Sequence, residues 1–211
     1  MPEQPVPATT GLVMRSHARW YDALVWVLTL GRERAFRERV LALASLRPGE
    51  AVLDVGCGTG TMAIAARRQV GSAGTVCGID ASPEMIARAA AKASKAGAAV
   101  DFRVAVVESL PYPDARFDVV LSTLMLHHLP RAAREQGVRE MRRVLRPGGR
   151  VLAVDFGRGN VRAKRGLIAH FHRHGGVALR DIVALLEGGG LRVIDSGGVG
   201  TKGLQFALAT A

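Results

Sequence analysis

Over residues 16–46 apolar positions recur at helical spacing, Trp20, Leu24, Val27 and Leu28, then Phe36, Val40 and Leu43, with Arg and Glu between them. This pattern predicts two helices joined near Gly31. After the turn signal Arg47-Pro48-Gly49 the chain changes to short apolar runs separated by amphipathic stretches. Strands are expected over 51–55, 75–79, 100–106, 117–122 and 150–155, and helices over 61–70, 83–96 and 131–145. Residues 145–149 read as a helix stop followed by a turn. Strands that alternate with helices of ten to fifteen residues require right-handed crossovers, hence an α/β fold with a parallel sheet covered on both faces. Ligands of such sheets bind at the carboxyl ends of the strands. One more helix over 179–186 and two strands over 191–195 and 204–208, joined by a glycine-rich connection, predict an antiparallel hairpin at the sheet edge. Residues 1–13 hold three prolines and no periodicity, and read as a flexible tail.

Composition narrows the class. With 211 residues, 48% of them hydrophobic and 22% charged, the chain is long enough for one domain with a small attachment and too apolar for global disorder. The apolar run 24–30 falls well short of the ~20 residues of a membrane span. The first ten residues lack the basic start and apolar stretch of a signal peptide. Two cysteines, Cys57 and Cys77, make no disulfide framework, so a reducing cytoplasm is the expected compartment.

Charge adds a less ordinary feature. The formal net charge is +11, and 25 of the 29 basic residues are Arg, which coding bias alone could produce. However, eight basic and only three acidic residues follow Asp155, so just over a quarter of the length carries +5 of the +11. Between Phe156 and Arg180 stand Arg158, Arg162, Lys164, Arg165, Arg173 and Arg180 with no acid, together with His170, His172 and His174. Alternating histidines suit a solvated segment better than a helical metal site, and no metal is expected. Such a segment selects for anionic partners, whether an acceptor molecule, an anionic membrane surface in peripheral contact, or nucleic acid. Aromatic residues at 5% make nucleic acid the poorest of the three.

The candidate chemistry begins at Val52-Leu53-Asp54-Val55-Gly56-Cys57-Gly58-Thr59-Gly60, a glycine cluster between the first strand and the first crossover helix. Glycines let the chain reverse tightly and bring its backbone close to a ligand. The dinucleotide fingerprint would need Gly where Thr61 stands, and no Gly-Lys-Ser/Thr follows to cradle phosphates. Asp54 would repel a pyrophosphate, whereas a cationic ligand suits it. Asp80 ends the second strand, where a carboxylate can accept both hydroxyls of a ribose. An adenosine without phosphates but with a positive centre satisfies both acids, which describes S-adenosylmethionine.

At these residues the chain resembles the class I S-adenosylmethionine-dependent methyltransferases, in particular the ubiquinone/menaquinone-biosynthesis type and its small-molecule relatives. The resemblance runs over 17–156. It rests on 52–60, on Gly78-Ile79-Asp80-Ala81-Ser82, on Glu108-Ser109-Leu110-Pro111-Tyr112-Pro113 with Phe117-Asp118, on Leu126-His127-His128-Leu129, and on Leu145-Arg146-Pro147-Gly148-Gly149-Arg150. It implies a Rossmann-like, seven-stranded, mostly parallel sheet, with 14–47 as a helical lid and 48–211 as the methyltransferase domain. It also implies that Gly56, Cys57, Gly58, Thr59 and Gly60 contact the methionine part of the cofactor, with Asp54 ordering the loop or facing the ammonium. Asp80 would hold the ribose, Ala81 and Met85 would flank the adenine, and Val106, Val107 and Glu108 would form its other wall. Thr123 would line the methionine side and His128 would pack under the cofactor. Val106 departs from the family, which usually has Asp or Asn there to accept the adenine amino group.

Methyl transfer from a sulfonium needs alignment of acceptor and methyl group and sometimes a base. His17, His127 and His128 are the candidate bases, and Tyr21, Arg158, Arg162 and His170 the candidate acceptor-binding residues. The favoured reading is methyl transfer to an anionic or membrane-borne small molecule, such as a quinone precursor, phospholipid headgroup or phenolic metabolite. The alternatives are an RNA or protein methyltransferase, against which stands Ser122-Thr123-Leu124-Met125 in place of an Asn-Pro-Pro-Tyr-like motif, and a non-catalytic cofactor-binding regulator. The sequence leaves the oligomeric state open.

Overall fold

The computed structural model of the chain describes residues 33–157, 178–200 and 203–211. The tail, the first predicted helix, His17, Tyr21, Arg158, Arg162 and His170 lie outside these residues. In chain order the elements are α1 (Glu33–Ala44), β1 (Ala51–Val55), α2 (Thr61–Val70), β2 (Thr75–Asp80), α3 (Pro83–Lys95), β3 (Asp101–Val104), β4 (Phe117–Thr123), a 3-10 turn (Leu126–His128), α4 (Arg131–Val144), β5 (Leu145–Phe156), α5 (Leu179–Gly188), β6 (Arg192–Gly198) and β7 (Leu204–Thr210). The strands form one sheet in the order β3-β2-β1-β4-β5-β7-β6. The first five run parallel, while β7 is antiparallel to both β5 and β6. The Rossmann-like arrangement with an antiparallel edge hairpin is therefore as expected.

The strand pattern explains the two cores. β1 is buried at all five positions, as a central parallel strand must be. On one face Val52, Val119, Leu121, Leu152 and Val154 meet Phe36 and Val40 of α1 and Met62, Ala63 and Ala66 of α2. On the other, Leu53, Val55, Val120, Val151 and Ala153 meet Val138 and Met141 of α4 and Ile182 and Leu186 of α5.

Several boundaries differ from the sequence expectation, and three of the differences bear on the sheet. β3 spans only Asp101–Val104, because Val106 closes an antiparallel bridge with Ser109 and leads the chain out of the sheet. β5 starts at Leu145 rather than 150: Leu145 pairs with Phe117, the register then shifts, and Arg150 pairs with Val119. The predicted turn at 146–149 is thus a bulge inside the strand, with Gly148 at φ 75°. β6 runs to Gly198, and its register shifts between Val193 and Asp195, beside the exposed Ile194.

At the amino edge of the sheet Arg150 donates to the carbonyls of Ala44 and Ser45 and to both oxygens of Glu50, fastening the end of α1 to β5. Asp118 accepts the Ala51 amide and pairs with Arg146. The carboxyl edge carries different residues, and the candidate chemistry is there.

Candidate functional site

The loop after β1 shows why its glycines alternate. Gly56, Gly58 and Gly60 all have positive φ, at 71°, 53° and 76°, a region that L-residues with a Cβ adopt only under strain. A Cβ at Gly60 would lie 2.7 Å from Phe102 Cζ and 2.8 Å from Ala89 Cβ, so this glycine also lets α2 approach β3 and α3. A Cβ at Gly56 would run into the Met125 side chain. The Cys57 amide donates to the Ile79 carbonyl (2.8 Å) and the Gly60 amide to the Cys57 carbonyl (2.9 Å), which closes the turn.

Two acids frame this loop. Asp54 is 1% exposed; it accepts the amide of Ala63 in the first turn of α2, a donor the helix itself leaves unused. Its Oδ2 is buried and has no hydrogen-bond partner among the described residues. Burial pushes its pKa up to about 7, and the nearby Asp80 pushes in the same direction. Asp80 accepts the Gly58 amide on Oδ2 (3.0 Å) and the Ser82 amide on Oδ1 (2.9 Å). It thereby ties the glycine loop to the start of α3, where Ser82 accepts the Met85 amide as N-cap. Desolvation raises the Asp80 pKa as well. Two raised carboxylates, one with an orphaned buried oxygen, form a site that a cationic ligand would complete. S-adenosylmethionine fits these residues: its cationic end satisfies the acids, and the second lone pair of each Asp80 oxygen remains for a ribose hydroxyl.

Several side chains of the candidate residues contact neighbouring elements of the fold. Thr59 is buried, and its hydroxyl accepts from Lys92 Nζ of α3 (2.9 Å), which also donates to Thr61 Oγ1 (2.9 Å). The Cys57 thiol packs towards Gly78 of β2, where a Cβ would lie 3.1 Å from it, and burial raises its pKa. Val107, a candidate for the adenine wall, packs its side chain on Gly137 of α4, where a Cβ would lie 2.8 Å from Val107 Cγ2. Val106 and Met85 are buried, and Ala81 and Glu108 are partly buried.

The 105–113 segment owes its position to α4. Glu140 accepts the Leu110 amide (2.8 Å), Arg143 donates to the carbonyls of Leu110 and Tyr112, and Gln136 Nε2 donates to the Glu108 carbonyl. Glu140 and Arg143 are themselves paired at 2.7 Å. These positions, like Lys92 and Met125, carry no sequence signal, since charged residues on an amphipathic helix usually face solvent.

The ends of β4 and β5 hold the remaining polar residues. Thr123 Oγ1 and Ser122 Oγ are buried without partners among the described residues. Leu124 then takes φ 57°, unusual for a branched residue, and donates to the Val154 carbonyl. The 3-10 turn that follows brings His127 onto Asp155. Its Nδ1 lies 2.7 Å from Asp155 Oδ1 and its amide donates to Oδ2 at 2.9 Å. His128 stacks 3.9 Å from His127, and burial first, then His127, lowers its pKa to about 4. Asp155 had a sequence signal that went unread: like Asp80, it is an acid at the carboxyl end of a parallel strand.

The comparisons with known proteins agree with this geometry. The family model described as "Methyltransferase domain" matches residues 52–149. A ubiquinone/menaquinone biosynthesis C-methyltransferase of Laribacter hongkongensis is 33% identical over 144 residues, 68% of this chain and 58% of that protein. The 27-O-demethylrifamycin SV methyltransferase of Amycolatopsis mediterranei is 42% identical over 121 residues, 56% of this chain and 43% of that one. The chain therefore spans less than two thirds of the curated relatives it matches. A crystal structure of a SAM-dependent methyltransferase from Aquifex aeolicus shares the fold, with a TM-score of 0.76, 24% identity and coverage of 92% of this chain and 97% of that one. Glycine loop, paired acids, sheet order and matched sequence lead to one assignment: residues 52–149 belong to a class I S-adenosylmethionine-dependent methyltransferase domain, whose cofactor is S-adenosylmethionine.

Proposed function

We propose that this protein transfers a methyl group from S-adenosylmethionine to a small-molecule acceptor that is anionic or membrane-borne, with a quinone precursor or phenolic metabolite as the leading candidates. The observation that carries it is the pair Asp54 and Asp80 flanking a loop of three positive-φ glycines at the carboxyl edge of the sheet. Both curated relatives are named for small-molecule methylation, on a quinone and on a rifamycin. The basic run after Phe156 favours an acidic or headgroup-bearing acceptor.

When bound, the cofactor supplies an electrophilic methyl group on a positively charged sulfur. Asp80 holds the ribose while keeping the loop and α3 in register. Asp54 balances the positive end from beneath the loop. Met85 and Val106 exclude water from the adenine side, and Thr123 presents its hydroxyl at the end of β4. The acceptor then meets the polar residues that close β4 and β5.

Labelled S-adenosylmethionine incubated with protein and cell extract tests the reading. Label in the lipid- and quinone-soluble fraction supports it. Label in RNA or protein moves the assignment to a macromolecular acceptor, and no label despite tight S-adenosylhomocysteine binding identifies a regulator. In calorimetry Asp80→Ala should lose at least ~100-fold in S-adenosylhomocysteine affinity, since both the loop and the ribose lose a charged partner.

A further inference from the structure

We propose that the groove between α4 and α5 is the seat of an anionic phospholipid headgroup, and that the protein docks through it on a bilayer surface. The proposal rests on the reading of a membrane-borne acceptor and names the face that meets the lipid.

The two helices are fastened at their carboxyl-terminal ends, near the amino edge of the sheet. There Gly189 lies against Val138, whose Cγ1 would be 2.3 Å from a Cβ at that position, and Arg142 Nε donates to the Gly190 carbonyl (2.9 Å). Both helices begin at the carboxyl edge, α4 because it follows β4 and α5 because it leads into β6, which runs the same way as β5. A groove of about 580 Å³ lies between them. Arg131, Arg134 and Arg139 of α4 line one side, and Ala184 and Leu185 give the α5 side an apolar surface. Gly188 also lines it, and a Cβ there would meet nothing within 4 Å, so the space beside it is open.

Cations outnumber anions in this groove. Its acids are Glu135 and Asp181, of which Glu135 pairs with Arg131 at 2.8 Å and Asp181 has Arg180 at 3.6 Å on the rim. Gln136 Oε1 accepts from Arg139 Nε and Nη2 at 3.1 and 2.9 Å, a neutral partner that orients the guanidinium and leaves its charge. Helix stability does not explain the arrangement: Arg131 is the first residue of α4, where the macrodipole disfavours a cation, and the first turn holds no acid. Planar guanidinium groups recognise phosphate oxygens in pairs. The apolar α5 side suits the glycerol and first methylenes of a lipid, a surface that a free phosphate or a row of peptide carboxylates would leave bare. A second copy of the chain, at +11, is repelled. The groove also opens on the edge that carries Asp54 and Asp80, and the basic run of the sequence, 158–173, lies in the connection between β5 and α5.

Sedimentation of the full chain with vesicles tests the proposal, using phosphatidylcholine alone and phosphatidylcholine with about 30 mol% phosphatidylglycerol. The expected result is binding to the second kind only, weakening as salt is raised. Arg131→Gln combined with Arg139→Gln should weaken it at least ~10-fold, at about fivefold per arginine. Gly188→Gln, which fills the groove and changes no charge, should also weaken it several-fold. Arg39→Gln combined with Arg68→Gln removes the same charge from exposed positions of α1 and α2, on the other face of the sheet, and should bind as wild type does. All variants should keep the wild-type affinity for S-adenosylhomocysteine. Wild-type vesicle binding by either groove variant overturns the proposal, as does an equal loss in the Arg39 and Arg68 variant. Tighter binding of glycerol phosphate or of polyglutamate than of the anionic vesicles assigns the groove to a free phosphate ester or an acidic polypeptide, and overturns it too. Vesicle binding without label in the lipid- and quinone-soluble fraction of the extract keeps the lipid seat and overturns the membrane-borne acceptor; label there without vesicle binding does the reverse.

Discussion

Asp54 shows how much one residue can carry. It is buried beneath the glycine loop, an oxygen without a partner, next to a second acid. Its pKa rises from 3.8 in the open chain to about 7 when folded, so between about pH 4 and 7 the folded state holds a proton the unfolded chain has released. Stability without cofactor should therefore fall as pH rises through that window and level off above it. Asp54→Asn, which keeps an acceptor for the Ala63 amide, should flatten the dependence in scanning calorimetry. S-adenosylhomocysteine, which retains the positive ammonium, should bind wild type more tightly as pH rises towards neutrality, and the variant should lose that trend. The acid and the glycines were legible in the sequence because local chain geometry requires them. That Thr59 meets Lys92, Cys57 faces Gly78 and Val107 packs on Gly137 was not, since spacing along the chain does not say which way a loop side chain points.

Among elements, α3 and α4 act as supports for the two loops that flank the site. Lys92 of α3 bridges Thr59 and Thr61 across Gly60, and Glu140 and Arg143 of α4 hold the 105–113 segment. Lys92→Met removes two charge-assisted bonds from the loop without touching the ligand. It should weaken S-adenosylhomocysteine binding about five- to tenfold in calorimetry, with little change in melting temperature. The helices themselves were readable from periodicity, and α2 begins and ends at the predicted residues, 61 and 70. Their supporting side chains were hidden, because a lysine or arginine on an amphipathic helix reads as solvated until the neighbouring loop is in place.

For the whole molecule, the sheet separates two tasks. Its carboxyl edge holds Asp54, Asp80, Thr123, His127 and Asp155, while its amino edge is a set of ion pairs and hydrogen bonds in which Arg150 fastens the end of α1 to β5 and Asp118 fastens β1 to β4. Arg150 and Glu50 form a largely buried pair with 15% and 13% of their side chains exposed. Arg150→Met leaves Glu50 without its cation and takes a donor from two carbonyls, and should cost about 3 kcal/mol in denaturant unfolding while cofactor affinity stays unchanged. The +11 charge gains a sharper reading at this scale: Asp54 and Asp80 frame the glycine loop, and nearly half of the excess basic charge lies after Asp155.

Alternating apolar runs and turn signals by themselves determined the fold class, because each is a local demand of backbone geometry or of one strand's burial, while the resemblance to the family rests on five motif blocks between 52 and 150. Only the tertiary structure decided which distant residues meet. His127 and Asp155, 28 positions apart, become partners because β4 lies beside β5 and a strained Leu124 turns the chain back over the strand ends. Strand order and the direction of a loop side chain depend on packing across the whole sheet, and no periodicity within one segment encodes them.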